Sequence, residues 1–214
     1  MSAGLGRFNR IAPYYDFLKQ MVFGRAIADS QVAFLGKIPK GSKLLIIGGG
    51  SGEILPVLKK VVVSPGSTIW YLEASSEMIT LAAKRLPLHS RENINFIHGT
   101  ENSLPDNVVF DAVLTNFFLD LFPYDRGLEI CRKIYRRINP GGLWLVSDFV
   151  SEGKWWQRAL LWIMYRFFAI TCKIEATALP AWEDQLLAVG LKEEINKSFY
   201  RGFIKSALYK KLSN

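Results

Sequence analysis

The aliphatic run Leu44-Leu45-Ile46-Ile47 passes directly into Gly48-Gly49-Gly50-Ser51-Gly52-Glu53 and then into helix-forming residues. A continuous aliphatic run is what a parallel strand buried on both faces requires. Glycines straight after it let the backbone turn tightly and approach a ligand. The helix expected next, from about Glu53 to Val61, aims its first amides into the same gap, and Ser64-Pro65-Gly66 ends it. A tight strand-to-helix turn would use the same glycines. The following apolar run, Thr68-Ile69-Trp70-Tyr71-Leu72, closes on Glu73, a carboxylate where a ribose diol needs a double acceptor. That pairing points to a nucleotide cradle.

The dinucleotide fingerprint wants a further glycine three residues beyond the second, so that the helix can pack close behind a pyrophosphate. Position 53 holds glutamate instead. A carboxylate at that mouth repels a diphosphate but suits a ligand with a cationic sulfonium and an ammonium group. The loop therefore favours S-adenosylmethionine over NAD.

At 214 residues and 50% hydrophobic composition, one domain can carry its own core. The formal charge of +8 favours anionic partners or plain solubility. Basic residues are spread along the chain, denser at Arg132-Lys133, Arg136-Arg137 and the tail, which is not a nucleic-acid signature. Cys131 and Cys172 are isolated, without metal or redox spacing, and read as buried small apolar residues in a reducing cytoplasm. No metal site is expected. Arg7, Arg10 and Asp16 interrupt any signal-peptide pattern. The apolar stretch from Trp155 to Ile170 contains Arg158 and Arg166 and is shorter than the roughly 20 residues that span a bilayer. With Lys173, those arginines suit an anionic membrane surface, so the expected location is the cytoplasm, with the inner membrane face open to the protein.

The remaining elements alternate. A helical segment over about Phe17 to Leu35 precedes the turn Pro39-Lys40-Gly41. Ser75-Ser76-Glu77 caps a helix reaching Arg85, with Met78, Ile79, Leu81 and Ala82 inward. Strands are expected at 94–97 and 110–115, and a basic amphipathic helix from Gly127 to Ile138. Asn139-Pro140-Gly141-Gly142 breaks that helix before the strand Leu143-Trp144-Leu145-Val146. Such units require a parallel sheet, hence a doubly wound α/β fold. Trp182 to Val189 reads as a helix stopped by Gly190, and 191–200 with 203–211 as a terminal antiparallel hairpin. The expected organisation is a single domain: an N-terminal helical lid (1–40), a cofactor-binding core (41–150), an acceptor-side helical cover (151–180) and a C-terminal helix with hairpin (181–214).

These motifs resemble those of class I S-adenosylmethionine-dependent methyltransferases, and within that group the chain is most similar to the ubiquinone and menaquinone biosynthesis methyltransferase family. The opening Phe8-Asn9-Arg10-Ile11-Ala12-Pro13-Tyr14-Tyr15-Asp16 resembles that family's opening motif. Gly48, Gly49, Gly50, Ser51, Gly52 and Glu53 resemble its glycine loop with the trailing acid. Glu73 falls on its ribose-binding acid, with Ala74 and the turn from Ser75 to Met78 after it. The segment from His98 through Thr100 and Glu101 to Pro105 resembles the one that flanks adenine, and Asn116 stands where the family lines the methyl-transfer site. The resemblance implies a Rossmann-like, mostly parallel seven-stranded sheet with the last strand reversed. It also implies S-adenosylmethionine as cofactor and S-adenosylhomocysteine as product. Two departures stand out: Ile46 replaces an acid that orients the loop in many members, and Thr100 an Asp or Asn beside adenine. Glu53 and Glu101 are the nearest compensating carboxylates.

Methyl transfer asks mainly for in-line positioning, because the sulfonium carbon is already activated. A carbon or oxygen acceptor must also lose a proton to a base. Asp120, Asp16 and His98 are the candidates, with Tyr14 and Tyr15 as orienting or lid groups. Asp120 equally suits a helix cap, and His98 a loop. The aromatic segment from Trp155 to Phe168, with Phe117, Phe118 and Phe122, suits a prenylated ring or lipid, and would equally suit a core-facing helix. The expected function is methylation of a small hydrophobic acceptor by a monomer or homodimer, with no nucleic acid as partner. A nucleic-acid methyltransferase and a non-catalytic S-adenosylmethionine-binding protein are the alternatives. Thr115-Asn116-Phe117-Phe118 lacks the paired prolines of base-amine methyltransferases.

Overall fold

Alternate side chains of strand β1 (Lys43–Ile47) enter two different cores: Leu44 and Ile46 on one face of the sheet, Leu45 and Ile47 on the other. The aliphatic run is continuous because neither face meets water. In the computed structural model, residues 22–171, 176 and 178–213 are described, the side chains of 167–171 excepted. The expectations for Tyr14, Tyr15, Asp16, Cys172 and Lys173 lie outside these residues.

The sheet has the order β3-β2-β1-β4-β5-β7-β6. Strands β2 (Thr68–Glu73), β3 (Ile94–His98), β4 (Phe110–Asn116) and β5 (Ile138–Phe149) join β1 in parallel. The C-terminal hairpin of β6 (Leu191–Phe199) and β7 (Ile204–Lys211) folds back so that β7 lies antiparallel between β5 and β6. The sequence-derived fold class is the observed one. Helix α1 (Ala26–Val32) precedes β1. Helices α2 (Leu55–Val61) and α3 (Ser76–Lys84) supply Leu55, Leu58 and Ala82 to one face. Helices α4 (Tyr124–Arg136) and α6 (Trp182–Ala188) supply Ile130, Cys131, Ile134, Trp182 and Leu186 to the other.

Several boundaries differ from the sequence-based expectation. The helix expected to reach Leu35 ends at Val32, and Leu35–Lys37 forms a separate 3-10 turn. Helix α2 begins at Leu55 rather than Glu53, with Ile54 as N-cap and Pro56 in its first turn, where a missing N–H is harmless. Helix α4 begins at Tyr124, directly after Pro123, and ends at Arg136. Ile138 already pairs with Phe110, so Asn139-Pro140-Gly141-Gly142 is an excursion within β5; the register resumes at Ala112 opposite Leu143.

A third apolar cluster sits beyond the carboxyl ends of β4 and β5. Phe23 and Ile27 meet Phe149, Phe203 and Ile204 there, with Phe117 and Tyr200 alongside. Helix α5 (Trp155–Thr171) lays Trp156, Leu160, Leu161 and Met164 on this cluster. Trp156 stacks edgewise on Tyr200 and Phe203, with centroids 6.0 and 5.7 Å away. Trp162 faces outward, 66% exposed. Helix α5 thus presents its inward side to core aromatics and Trp162 to solvent. Among the described residues no helix is long and apolar enough to cross a membrane.

Candidate functional site: the glycine cradle at the sheet's switch point

From β1 the strand order runs outward one way to β2 and β3, and the other way to β4, so the crevice outside the carboxyl ends of β1 and β4 is the topological switch point. The glycine loop leaves β1 there. Gly48 has φ of +65°, and a Cβ on it would lie 2.5 Å from Cδ2 of Phe118, which follows β4. Gly52 has φ of +78°, and a Cβ on it would lie 2.7 Å from the Ala82 Cβ on α3. These two glycines let the loop thread between β4's exit and the next helix. Gly50 differs, since no atom of the described residues lies within 4 Å of an added Cβ and its side of the loop is open among them.

Glu73 ends β2 beside this opening. Its carboxylate accepts from the Gly50 amide and from the Ser75 amide, both at 2.9 Å. An ionised carboxylate has about four acceptor sites, so two backbone bonds leave capacity for a diol. Ser75 then caps α3, accepting from the Met78 amide at 3.2 Å, and Met78 is buried below. The Tyr71 hydroxyl, two residues before Glu73 on the same face of β2, donates to the Gly50 carbonyl at 2.9 Å. Burial first, and the negative charge of Glu73 second, raise the Tyr71 pKa and keep it a donor. Arg85 completes the brace from α3, donating to the Ser51 carbonyl at 2.7 Å and lying 3.6 Å from Glu53. Glu53 thus sits in a turn before α2, and the amides nearest the cradle belong to the loop, not to a helix beginning at residue 53.

The other expected residues divide. The Gly99 amide donates to the Glu73 carbonyl at 3.0 Å, which places Thr100 just beyond the cradle. His98 Nε2 lies 3.0 Å from the Ala74 carbonyl, where it can only donate. The Thr100 hydroxyl is occupied as a cap, accepting from the Asn102 amide. Glu101 turns the other way. It is 5% exposed and accepts from Arg126 at 2.8 Å and Lys133 at 3.2 Å on α4. Burial alone would raise its pKa, but these two cations outweigh it and hold the carboxyl below the usual range. The expectation of Glu101 as a substitute adenine acceptor meets a carboxylate already committed to α4. Ile46, where the family resemblance leads one to expect an acid, is 2% exposed in the core. Tyr71 and Arg85 hold the loop where that acid is missing.

Asn116 is half-buried at the end of β4, one residue past the Thr115 that pairs with Ile47, hence beside Gly48. Phe117 follows with φ of +52°, a strained value for a bulky residue and one typical of functional turns. The short turn Leu119–Leu121 then buries Asp120. Asp148 near the end of β5 holds that turn, one carboxylate oxygen accepting from the amides of Phe118, Leu119 and Asp120 at 3.3, 3.0 and 3.3 Å. Among the described residues, one Asp120 oxygen, Oδ1, and the Tyr165 hydroxyl on α5 are buried without a hydrogen-bond partner. Burial pushes Asp120 up to about 7; burial and then the charge of Asp120 push Asp148 well above the carboxylate range. Burial, followed by both carboxylates, raises Tyr165. Sequence reading named Asp120 but missed its partners. The one available signal for Asp148 was an acid inside an otherwise apolar strand.

Residues 45–144 match the methyltransferase domain family. The chain carries a class I methyltransferase domain. Over 149 residues it is 34% identical to 2-phytyl-1,4-beta-naphthoquinone methyltransferase of Arabidopsis thaliana, covering 66% of this chain and 56% of that relative. It is 29% identical over 146 residues to the ubiquinone/menaquinone biosynthesis C-methyltransferase UbiE of Blochmanniella floridana, again covering 66% and 56%. The chain spans just over half the length of these curated relatives. A solved structure of a SAM dependent methyltransferase from Aquifex aeolicus superposes with a TM-score of 0.62 at 16% identity, over 95% of this chain and 98% of that one. That likeness shows the shared fold.

Proposed function

We propose that the methyltransferase domain binds S-adenosylmethionine in the glycine cradle and methylates a small, apolar, quinone-like acceptor. The observation that carries the reading is the Glu73 carboxylate, fixed by the Gly50 and Ser75 amides beside the open side of the loop. The names of the two relatives supply the acceptor class. Gly48 to Glu53, Glu73 with Ala74 and Met78, the edge at Thr100, and Asn116 are the residues this reading assigns to the cofactor.

When bound, S-adenosylmethionine supplies an activated methyl carbon and departs as S-adenosylhomocysteine. The chain's part is to hold the ribose on Glu73, to close the switch-point crevice with Phe118, and to receive the acceptor's proton. Asp120 is assigned that last role. Its Oδ1 has no partner among the described residues, and burial holds its affinity for protons near neutrality, where a general base works best. His98 is occupied at the Ala74 carbonyl. Asp16, Tyr14 and Tyr15 remain proposed as acceptor-side groups. Apolar quinones partition into bilayers, so association with a membrane surface belongs to the same reading.

The test is turnover with methyl-labelled cofactor against a short-chain naphthoquinol, a ubiquinol precursor analogue and RNA, with calorimetry of cofactor binding. Labelled quinol and a bound cofactor support the reading. Labelled RNA with inert quinols, or NAD binding tighter than S-adenosylmethionine, overturns it.

A further inference from the structure

The outward face of α5 is built from residues three and four apart: Trp155, Arg158, Ala159, Trp162, Ile163 and Arg166, all exposed. Trp155 is 81% exposed, Trp162 66% and Ile163 57%, a concentration of large apolar groups in water. Arg166 lies over the Trp162 ring, its guanidinium carbon 6.0 Å from the centroid. No acidic residue occurs anywhere in the helix. The opposite face is already satisfied by Phe149, Phe203 and Tyr200, so the outer stripe is surplus to the fold.

From this pattern we infer that α5 docks in the plane of an anionic lipid surface, its tryptophans at the headgroup boundary and Arg158 and Arg166 on lipid phosphates. Apolar and cationic groups alternate on one strip. A bilayer with acidic headgroups offers both complements at once: an apolar layer for Trp155, Trp162 and Ile163, and negative charge for arginines whose stems lie along the interface. Burying these side chains away from water gives the driving force, and the arginines give the preference for acidic lipid. The helix is too short and too charged to insert across a membrane. It follows β5 directly and packs beside Phe117, so docking brings the carboxyl edge of the sheet to the surface in which an apolar acceptor dissolves. The inference deepens the proposed function and depends on it only for the purpose of docking, not for docking itself.

The experiment is flotation of the whole chain with phosphatidylcholine vesicles and with mixed phosphatidylcholine and phosphatidylglycerol vesicles, alongside tryptophan emission. The expected result is flotation with the acidic vesicles, a blue-shifted emission and loss of both on adding salt. Arg158→Gln with Arg166→Gln should weaken partition roughly 25-fold, at about fivefold for each charge. Trp162→Ser should weaken it further, with thermal stability and cofactor affinity unchanged because the side chain is outside the core. Flotation that is absent, or indifferent to all three substitutions, overturns the inference. So does sedimentation showing a dimer that Trp162→Ser dissociates while vesicles remain unbound, since the face would then belong to a second copy. Methylation of a water-soluble quinol without vesicles is measured in parallel, so that docking and the methyltransferase reading stand or fall separately.

Discussion

The Tyr71 hydroxyl donates to the Gly50 carbonyl at 2.9 Å, while the residue two further along β2, Glu73, accepts from the Gly50 amide. One residue of the loop is thereby gripped through both its carbonyl and its amide by a single face of one strand. Residues two apart in a strand share a face, so the grip follows from the spacing of Tyr71 and Glu73. Tyr71→Phe should keep the ring beneath the loop and lose the bond. At about 1 kcal/mol for a net hydrogen bond, cofactor affinity should fall about fivefold by calorimetry, with a small drop in Tm. Unchanged affinity would show that the loop keeps its shape without the phenol.

Both Glu73 oxygens accept from backbone amides, which makes the conservative amide a severe change. In Glu73→Gln the side-chain NH2 must point at the amide of either Gly50 or Ser75, donor against donor. Glu73→Gln and Glu73→Ala should both weaken S-adenosylmethionine binding about tenfold or more, since charged hydrogen bonds contribute roughly 1.5–3 kcal/mol each. A Gln variant binding as tightly as the native chain would remove Glu73 from the ribose assignment.

Legibility followed periodicity. The aliphatic strands, the Ser75 cap and the terminal hairpin were readable because each depends on neighbours in sequence. The excursion at 139–142 was not, since pairing of Ile138 with Phe110 is a long-range choice that overrides a local turn signal. In the cradle, Gly48 to Gly52 and Glu73 were readable from type and spacing, whereas Arg85 was not: it reaches Ser51 from the far end of α3. Glu101 misled for the same reason. Its partners Arg126 and Lys133 lie on a helix whose approach only the fold determines. The aromatic content of α5 was plain, but which face looked outward was not.

Two alanine substitutions in the loop should separate fold from binding. A Cβ at Gly52 lies 2.7 Å from the Ala82 Cβ and 2.8 Å from its Cα, backbone that cannot give way cheaply. Gly52→Ala should cost about 2–4 kcal/mol from overpacking and the left-handed backbone, read as a large drop in Tm. Gly50→Ala meets no atom, so it should cost only about 1–2 kcal/mol of backbone strain yet obstruct the ligand side. A stable Gly52→Ala, or a Gly50→Ala with native cofactor affinity, would contradict this division.

Asp120 should make the protein less stable as pH rises from about 4 to about 7. Its folded pKa is pushed up to about 7 by burial, while an unfolded aspartate titrates near 4. The folded state therefore holds the proton more tightly, so the contribution is fully present below about pH 4 and is lost as pH rises through about 7. The groups facing it are Asp148 from β5 and Tyr165 from α5; the Asp148 side chain, itself raised, hydrogen-bonds Asp120 and offsets only part of the burial effect. Asp120→Asn should match the native chain in denaturation below about pH 3.5, already exceed it by about 1–2 kcal/mol at pH 5, and exceed it by up to about 4 kcal/mol at pH 8.5, for a shift of this size. If Asp120 also takes the acceptor's proton, the same variant should lose roughly 100-fold or more in kcat with a carbon acceptor. Native kcat should then climb with pH to a plateau above about 7. A variant that gains alkaline stability but keeps native kcat would leave Asp120 with its charge burden and no part in proton transfer.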